Sequence, residues 1–552
     1  MHLLQGFGVQ HIFGLCGDTS LPFYDALQRL EHDITHVLTR DERHAAYMAD
    51  AYARVSGRVG VCEGPSGGGA TYILPGLVEA NDSSIPVLAI TTDVSVSSLG
   101  HYPLTELAQD QLFRPLTKWN GVVDRADRLP SMLRAAFRAM TTGRPGAAHL
   151  GLPFDVQNGV VSGDDIWVQP EFGRYPAWRY GPAPGAVDDA VERLLSSKRP
   201  IVICGGGVVI SGAEAGLQRL AERLDLVVAT TISGQGALAD THPNCLGVVG
   251  SNGGTAATRA VLEEADLVVF IGCRAGSVTT ERWRVPPATA AVIHIDSDPM
   301  AISANYYTEI AVVADAKLAL DAIVATLETN GPGKPGFSGR ALVASAKQQK
   351  HAAFDELARS RERPVRPERV VRELNRVLPD DAIIVADPGT PCPYFSAYYE
   401  LPLPGRHFIS NRAHGALGFS LPAAIGAQLA RPGAKVVSIM GDGSFGFSVG
   451  ELETVTRLKL PITFVVFSNS SYGWIKAGQK ASCEKRYFSV DFNQTDHAAV
   501  AAAYGINSWR VEDPEQLGAI LATAAEHAGP TLVDVISQPL QDAQAPVSEW
   551  VA

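Results

Sequence analysis

Short apolar runs alternate with helical patterns along nearly all of the chain. In the first third, "HIFGLC", "THVLT", "RVGVCE" and "PVLAIT" read as strands. Between two of them, "DERHAAYMADAYARVSG" reads as a helix closed by Gly57. This alternation predicts parallel βαβ units with helices on both sheet faces. "VQPEFGRYPAWRYGPAPGA" is rich in Pro and aromatics, lacks a period and marks a linker. A second block follows with "PIVICGGGVV", "LDLVVATT", "ADLVVFIG" and "AVIHIDSD". A further break falls in "ETNGPGKPGFSG", near 328–339, and a third block runs from "PDDAIIVADPG" to "GPTLVDVISQP". The expected fold is α/β: three doubly wound parallel-sheet domains at 1–165, 185–330 and 360–540.

Composition narrows the function classes. The chain has 552 residues and a formal net charge of -12, without a basic cluster to track a nucleic-acid backbone. Its seven cysteines are scattered and include no CxxC pair, which points to a reducing compartment without a zinc site or disulfide framework. "MHLLQGFGVQHIFG" lacks the basic start and long apolar stretch of a leader. Apolar runs such as "HGALGFSLPAAIGAQLA" are broken by Gly and Pro, so no membrane helix is expected. The expectation is a cytoplasmic protein with neither nucleic-acid nor membrane partners.

The strand pattern "AKVVSIM" stops at Gly441-Asp442-Gly443. "SVGELETVTRLK" reads as a helix, and "PITFVVFS" is a strand that stops at Asn469. One βαβ unit places two parallel strands side by side, about 4.8 Å apart. Asp442 and Asn469, 27 positions apart, then share one carboxyl edge, where open α/β sheets bind ligands. A carboxylate and an amide oxygen are hard ligands that suit Mg²⁺ or Ca²⁺, with phosphate oxygens completing the shell. Glycines beside Asp442 allow close approach of a phosphate, and Ser444 adds a hydroxyl. Taken alone, "GDG" also reads as a turn with a capping Asp.

Together, "GDG" and "SNSSYG" resemble the signature of thiamine-diphosphate enzymes. The resemblance spans about residues 5 to 540 and implies pyrimidine-binding, central and diphosphate-binding domains. It implies Mg²⁺ on Asp442, Asn469 and the carbonyl of Ser471, with Gly443, Ser444, Tyr472 and Gly473 on the cofactor. "VADPGTPCPYF" matches another diphosphate segment and adds Gly389 and Thr390. "NRAHGALGFSLPAAIGA" matches the segment that grips the cofactor's middle: Gly415 receives the aminopyrimidine and Leu417 wedges the V shape. "VLTRDERHAAYMADAYARVSG" resembles the strand-Glu-helix element and makes Glu42 the catalytic acid. Its carboxyl would promote the aminopyrimidine tautomer that deprotonates the thiazolium carbon, a role suited to a raised pKa. Read without the resemblance, Glu42 is an acid at a helix start, favoured by the macrodipole. "GPSGGGATY", from Gly64 to Tyr72, matches a Gly-rich turn lining the pocket. In the family the cofactor lies between the first domain of one chain and the third of another. A homodimer is then the minimum active unit, and a homotetramer is common.

The layout is closest to the acetolactate synthase group, through "TDVSVSSLG", "GVVGSNGG", "GCRAGSVTTERW" and "IHIDSDP". That group has Phe-Gln at Leu104-Thr105 and a Trp at Gly478, so donor and acceptor are left open. Simple pyruvate decarboxylases carry a His-His pair, and "GHYPLTE" has only His101. The expected activity is a thiamine-diphosphate- and Mg²⁺-dependent decarboxylating carboligase, a transferase or lyase. It would join a 2-oxo acid donor to an aldehyde, ketone or 2-oxo acid. The alternatives are a non-ligating 2-oxo acid decarboxylase and, more remotely, a flavin- or NAD-dependent oxidoreductase. Gly205–Gly207 follows a strand like a dinucleotide turn, but the motif is incomplete and the family's central domain is often empty, so FAD is the lesser alternative and stays open. Glu63, Thr105 and Trp474 are the substrate-pocket candidates; Glu63 and Trp474 read equally well as solvated and packing residues.

Overall fold

Three sheets of six parallel strands account for the alternating pattern. The computed structural model describes residues 1–329 and 337–550, so the break expected near 328–339 falls largely outside the described residues. The first sheet holds β1 (His11–Gly14), β2 (Thr35–Leu38), β3 (Gly60–Gly64), β4 (Val87–Asp93), β5 (Trp119–Val122) and β6 (Ala148–Pro153). Its order is β2-β1-β3-β4-β6-β5. The second holds β7 (Pro200–Cys204), β8 (Val227–Thr230), β9 (Cys245–Val248), β10 (Leu267–Ile271), β11 (Ala291–Asp296) and β12 (Ile310–Val313). Its order is β12-β11-β10-β7-β8-β9. The third holds β13 (Ile383–Ala386), β14 (Phe408–Ser410), β15 (Val436–Gly441), β16 (Thr463–Ser468), β17 (Asn507–Val511) and β18 (Thr531–Ile536). Its order is β14-β13-β15-β16-β18-β17.

Strands such as β4, β7 and β16 are buried at every position, because helices cover both faces. That is why they read as continuous apolar runs. Each fully buried Val, Ile or Leu contributes about 1.5–3 kcal/mol, and the core is shared between strands and the helices packed on them, as with Val202 and Val269 against Leu217 and Leu320. The strand order reverses between β13 and β15, the kind of switch point beyond whose carboxyl ends open α/β sheets bind ligands.

The chain forms two compact units. One comprises Met1–Trp178, Asn411–Gly433 and Ser448–Leu460; the other comprises Arg179–Ser410, Ala434–Phe447 and Pro461–Ala552. In the first unit, the helix Glu42–Ser56 starts on Asp41, whose carboxylate accepts from Arg43 N at 2.8 Å, and ends on Gly57 at φ +67°. It packs against the helix Ser420–Ala430. The crossing is close: a Cβ at Gly426 would stand 2.0 Å from the Met48 carbonyl oxygen.

One element departs from the expected pattern. Periodicity placed the helix of the Asp442 βαβ unit at 448–459. The chain instead becomes helical at Asp442 itself, over Asp442–Ser448. It tightens into a 3₁₀ turn at Val449–Glu451 and resumes over Leu452–Arg457. The glycines of "DGSFGFS" hide this first turn from a propensity reading. An acid at a helix start is favoured by the backbone dipole.

Candidate active-site clusters

In the first unit, Glu42 opens its helix directly after β2, and its side chain is 6% exposed. The Gly-rich turn after β3 closes around it. A Cβ at Gly64 would lie 3.3 Å from Glu42 Cγ, and one at Gly69 3.0 Å from Glu42 Oε1. A side chain at Gly69 would collide with Pro65 first and then crowd the carboxyl group, and one at Gly64 would press on Glu42 Cγ and the Gly69 carbonyl. Burial pushes the Glu42 carboxyl above its ordinary pKa, with smaller contributions from the neighbouring Asp41 and Glu63 charges. Such a carboxyl can take up and return a proton nearer neutrality than an exposed one.

Glu63 stands one residue before Gly64 and is fully buried. Its Oε1 accepts a hydrogen bond from Tyr24 Oη and lies 3.3 Å from His36 Nε2. Gly14 on the neighbouring strand makes room for it, since a Cβ there would come 2.0 Å from Glu63 Oε1. Burial raises the Glu63 pKa as well. Thr105, at φ +71°, pairs its hydroxyl with Ser66 Oγ at 2.7 Å against the same turn. Ser66 continues to Thr19 at 3.1 Å, and Thr19 to Thr92 at 2.8 Å. This hydroxyl chain carries no sequence motif, because its members come from separate loops and strands.

In the second unit, β15 and β16 pair so that Gly441 faces Phe467, which puts Asp442 beside the residues after Ser468. Asp442 Oδ2 accepts from Asn469 N at 2.7 Å and Ser470 N at 2.6 Å; Oδ1 accepts from Gly443 N at 2.8 Å. The carboxylate is 5% exposed, and burial raises its pKa against these three amide donors. No Lys or Arg forms an ion pair with it among the described residues. Asn469 Oδ1 accepts from Ser471 Oγ at 3.1 Å, and the Ser471 carbonyl accepts from Gly473 N at 2.9 Å.

The remaining expected cofactor residues divide between the units. A Cβ at Gly473 would meet Thr390 Oγ1 at 3.0 Å, so this pair of diphosphate candidates lies in direct apposition. Gly389, at φ +101°, and Gly441 have open space where a side chain would stand. Ser444 is buried, and Tyr472 lays its ring against Gly443. Trp474 stacks obliquely on Trp550, ring centroids 5.2 Å apart. Gly415 and Leu417 lie in a turn of the first unit, Gly415 at φ +70° with open space above it.

A divalent ion fits the Asp442 cluster by its chemistry. The cluster offers a buried carboxylate with no Lys or Arg ion pair among the described residues, an amide oxygen and a backbone carbonyl, all hard oxygen donors. Open space over Gly389 and Gly441 leaves room for phosphate oxygens beside them. The "GGG" after β7 is used differently. A Cβ at Gly205 would stand 2.1 Å from the Gly272 carbonyl oxygen, so close backbone packing requires that glycine.

Comparison with known proteins matches part or all of each sheet to one family description. Residues 1–112 match the thiamine pyrophosphate enzyme N-terminal TPP binding domain, 187–323 the central domain and 387–535 the C-terminal TPP binding domain. A probable acetolactate synthase large subunit of Methanococcus aeolicus is 35% identical over 554 residues, covering 97% of this chain and 91% of its own. The acetolactate synthase isozyme 3 large subunit of Escherichia coli strain K12 is 31% identical over 525 residues, covering 94% and 90%. With three matched domains in the order of the three sheets, the chain belongs to the thiamine pyrophosphate enzymes, in the acetolactate synthase-like group.

Proposed function

We propose that this protein is a thiamine-diphosphate- and Mg²⁺-dependent carboligase. It joins the decarboxylated remainder of a 2-oxo acid to an aldehyde, ketone or second 2-oxo acid. The reading is carried by Asp442, a buried carboxylate fastened to the amides of Asn469 and Ser470 at the edge of adjacent strands. Relatives named acetolactate synthase cover nearly the whole chain and support the same reaction class.

Each residue has a definite task in this reading. Asp442, Asn469 and the Ser471 carbonyl hold Mg²⁺. Gly389, Thr390, Gly443, Ser444, Tyr472 and Gly473 surround the diphosphate. Gly415 and Leu417 receive the middle of the cofactor. When bound, thiamine diphosphate supplies a carbon nucleophile that adds to the donor carbonyl and holds the electron pair released with CO₂. Glu42, boxed by Gly64 and Gly69, takes and returns the proton at the aminopyrimidine. Glu63, Thr105 and Trp474 belong to the substrate pocket in this reading. The active assembly is a homodimer or a homotetramer of such dimers, with Glu42 from one chain and Asp442 from its partner. The domains run over 1–165, 185–330 and 360–540. The proposed location is the cytoplasm, where the seven cysteines would stay reduced.

The test is product analysis with Mg²⁺, thiamine diphosphate and pyruvate, with and without an added aldehyde. A hydroxyketone or acetohydroxy acid supports the reading. Free acetaldehyde alone assigns the protein to non-ligating decarboxylation, and no turnover of any 2-oxo acid overturns it.

A further inference from the structure

The turn that carries Gly415 and Leu417 is held by a residue that no motif indicates. Glu79 lies in the helix Leu74–Asp82 and is fully buried. Its Oε2 accepts from two consecutive backbone amides, Ala413 N at 3.1 Å and His414 N at 2.7 Å. Its Oε1 accepts from Ser83 Oγ at 2.6 Å and Arg54 Nη2 at 3.1 Å. Arg54 is itself buried, and its guanidinium is clamped on Asp50 at 2.8 and 3.1 Å. Farther along the turn, Asn411 Nδ2 donates to the Ala416 carbonyl at 2.6 Å.

A carboxylate with no water contact is stable only when its oxygens are fully paired. Here both oxygens are paired, one by a buried cation and a hydroxyl, the other by the turn itself. The amides of Ala413 and His414 have no helix or strand partner, so Glu79 decides their direction. Gly415 follows immediately in the left-handed region and stays open. We infer that Glu79 is a positioning residue that holds the Ala413–Gly418 turn ready for the cofactor before the cofactor arrives. The inference rests on the proposed thiamine-diphosphate function. It adds that part of the binding order comes from this chain's own hydrogen bonds rather than from the cofactor.

Two measurements test it. In the wild-type apoprotein, hydrogen exchange of a peptide covering 411–418 should be slow, and thiamine diphosphate with Mg²⁺ should change it little. Fast exchange that slows only on cofactor addition overturns the inference. In Glu79→Gln, one end of the carboxamide must present N–H to either Arg54 or the turn amides. Exchange at 411–418 should then speed up and the Kd for thiamine diphosphate rise at least tenfold, while the circular dichroism stays native. A folded variant with unchanged Kd overturns the inference; if the variant does not fold, the wild-type exchange result decides. Wild-type protein that binds no thiamine diphosphate at all would instead overturn the proposed function.

Discussion

His44 Nδ1 and Glu451 Oε1 lie 3.0 Å apart and are buried together, although 407 positions separate them. The same oxygen accepts from Arg40 N at 2.8 Å, and Glu451 Oε2 accepts from Thr454 Oγ1 at 2.7 Å. Arg40 and His44 stand on either side of Glu42, so Glu451 fixes the first turn of the Glu42 helix. Glu451→Ala strips acceptors from buried donors. It should cost about 2–4 kcal/mol of stability and reduce kcat roughly tenfold by loosening Glu42. Chemical denaturation and steady-state kinetics check both. A variant with wild-type kcat would show that Glu42 keeps its place without this tie.

Glu42→Gln keeps the shape of the side chain and removes its proton chemistry. It should bind thiamine diphosphate with near wild-type Kd while kcat falls by roughly 100-fold or more. Fluorescence titration and single-turnover decarboxylation separate the two effects. Unchanged turnover would remove Glu42 from the mechanism.

Gly473→Ala places a methyl group 3.0 Å from Thr390 Oγ1 and 3.2 Å from Leu540 Cβ. Overpacking of this kind costs about 1–3 kcal/mol. Because the strain falls on Gly473 and Thr390, both proposed to contact the diphosphate, the KM for thiamine diphosphate should rise more than the KM for the donor acid. Equal changes would place the strain elsewhere.

Glu63 gives a pH-dependent prediction. Burial raises its folded pKa above 4.5, against its bonds to His36 and Tyr24. The folded state therefore binds more protons than the unfolded state between the two pKa values, and the Glu63 contribution to stability falls as pH rises through that window. In urea unfolding, wild type should lose stability relative to Glu63→Gln from about pH 4.5 upward, until the folded pKa is passed. The opposite slope would mean that Tyr24 and His36 stabilise the charged form.

Much of the fold is legible because buried parallel strands leave unbroken apolar runs. β15 and β16 are such runs, and their adjacency follows from the crossover rule, which brings Asp442 to Asn469. The helix of Glu42 is equally plain, with Asp41 at its start and Gly57 at its end. The helical turn at Asp442 is hidden by its glycines. Glu79 and Glu451 leave no local trace, because their partners stand 334 and 407 positions away. Glu63 looks solvent-facing by charge alone. Its burial depends on Gly14, Tyr24 and His36, each on a different element.

The most direct test is calorimetric titration of the apoprotein with thiamine diphosphate, with Mg²⁺ and with EDTA, for wild type and Asp442→Asn. Wild type should show saturable, Mg²⁺-dependent binding, and the variant a Kd at least 100-fold weaker, a loss of about 2.7 kcal/mol. Binding that ignores both Mg²⁺ and the substitution would remove Asp442 from cofactor binding.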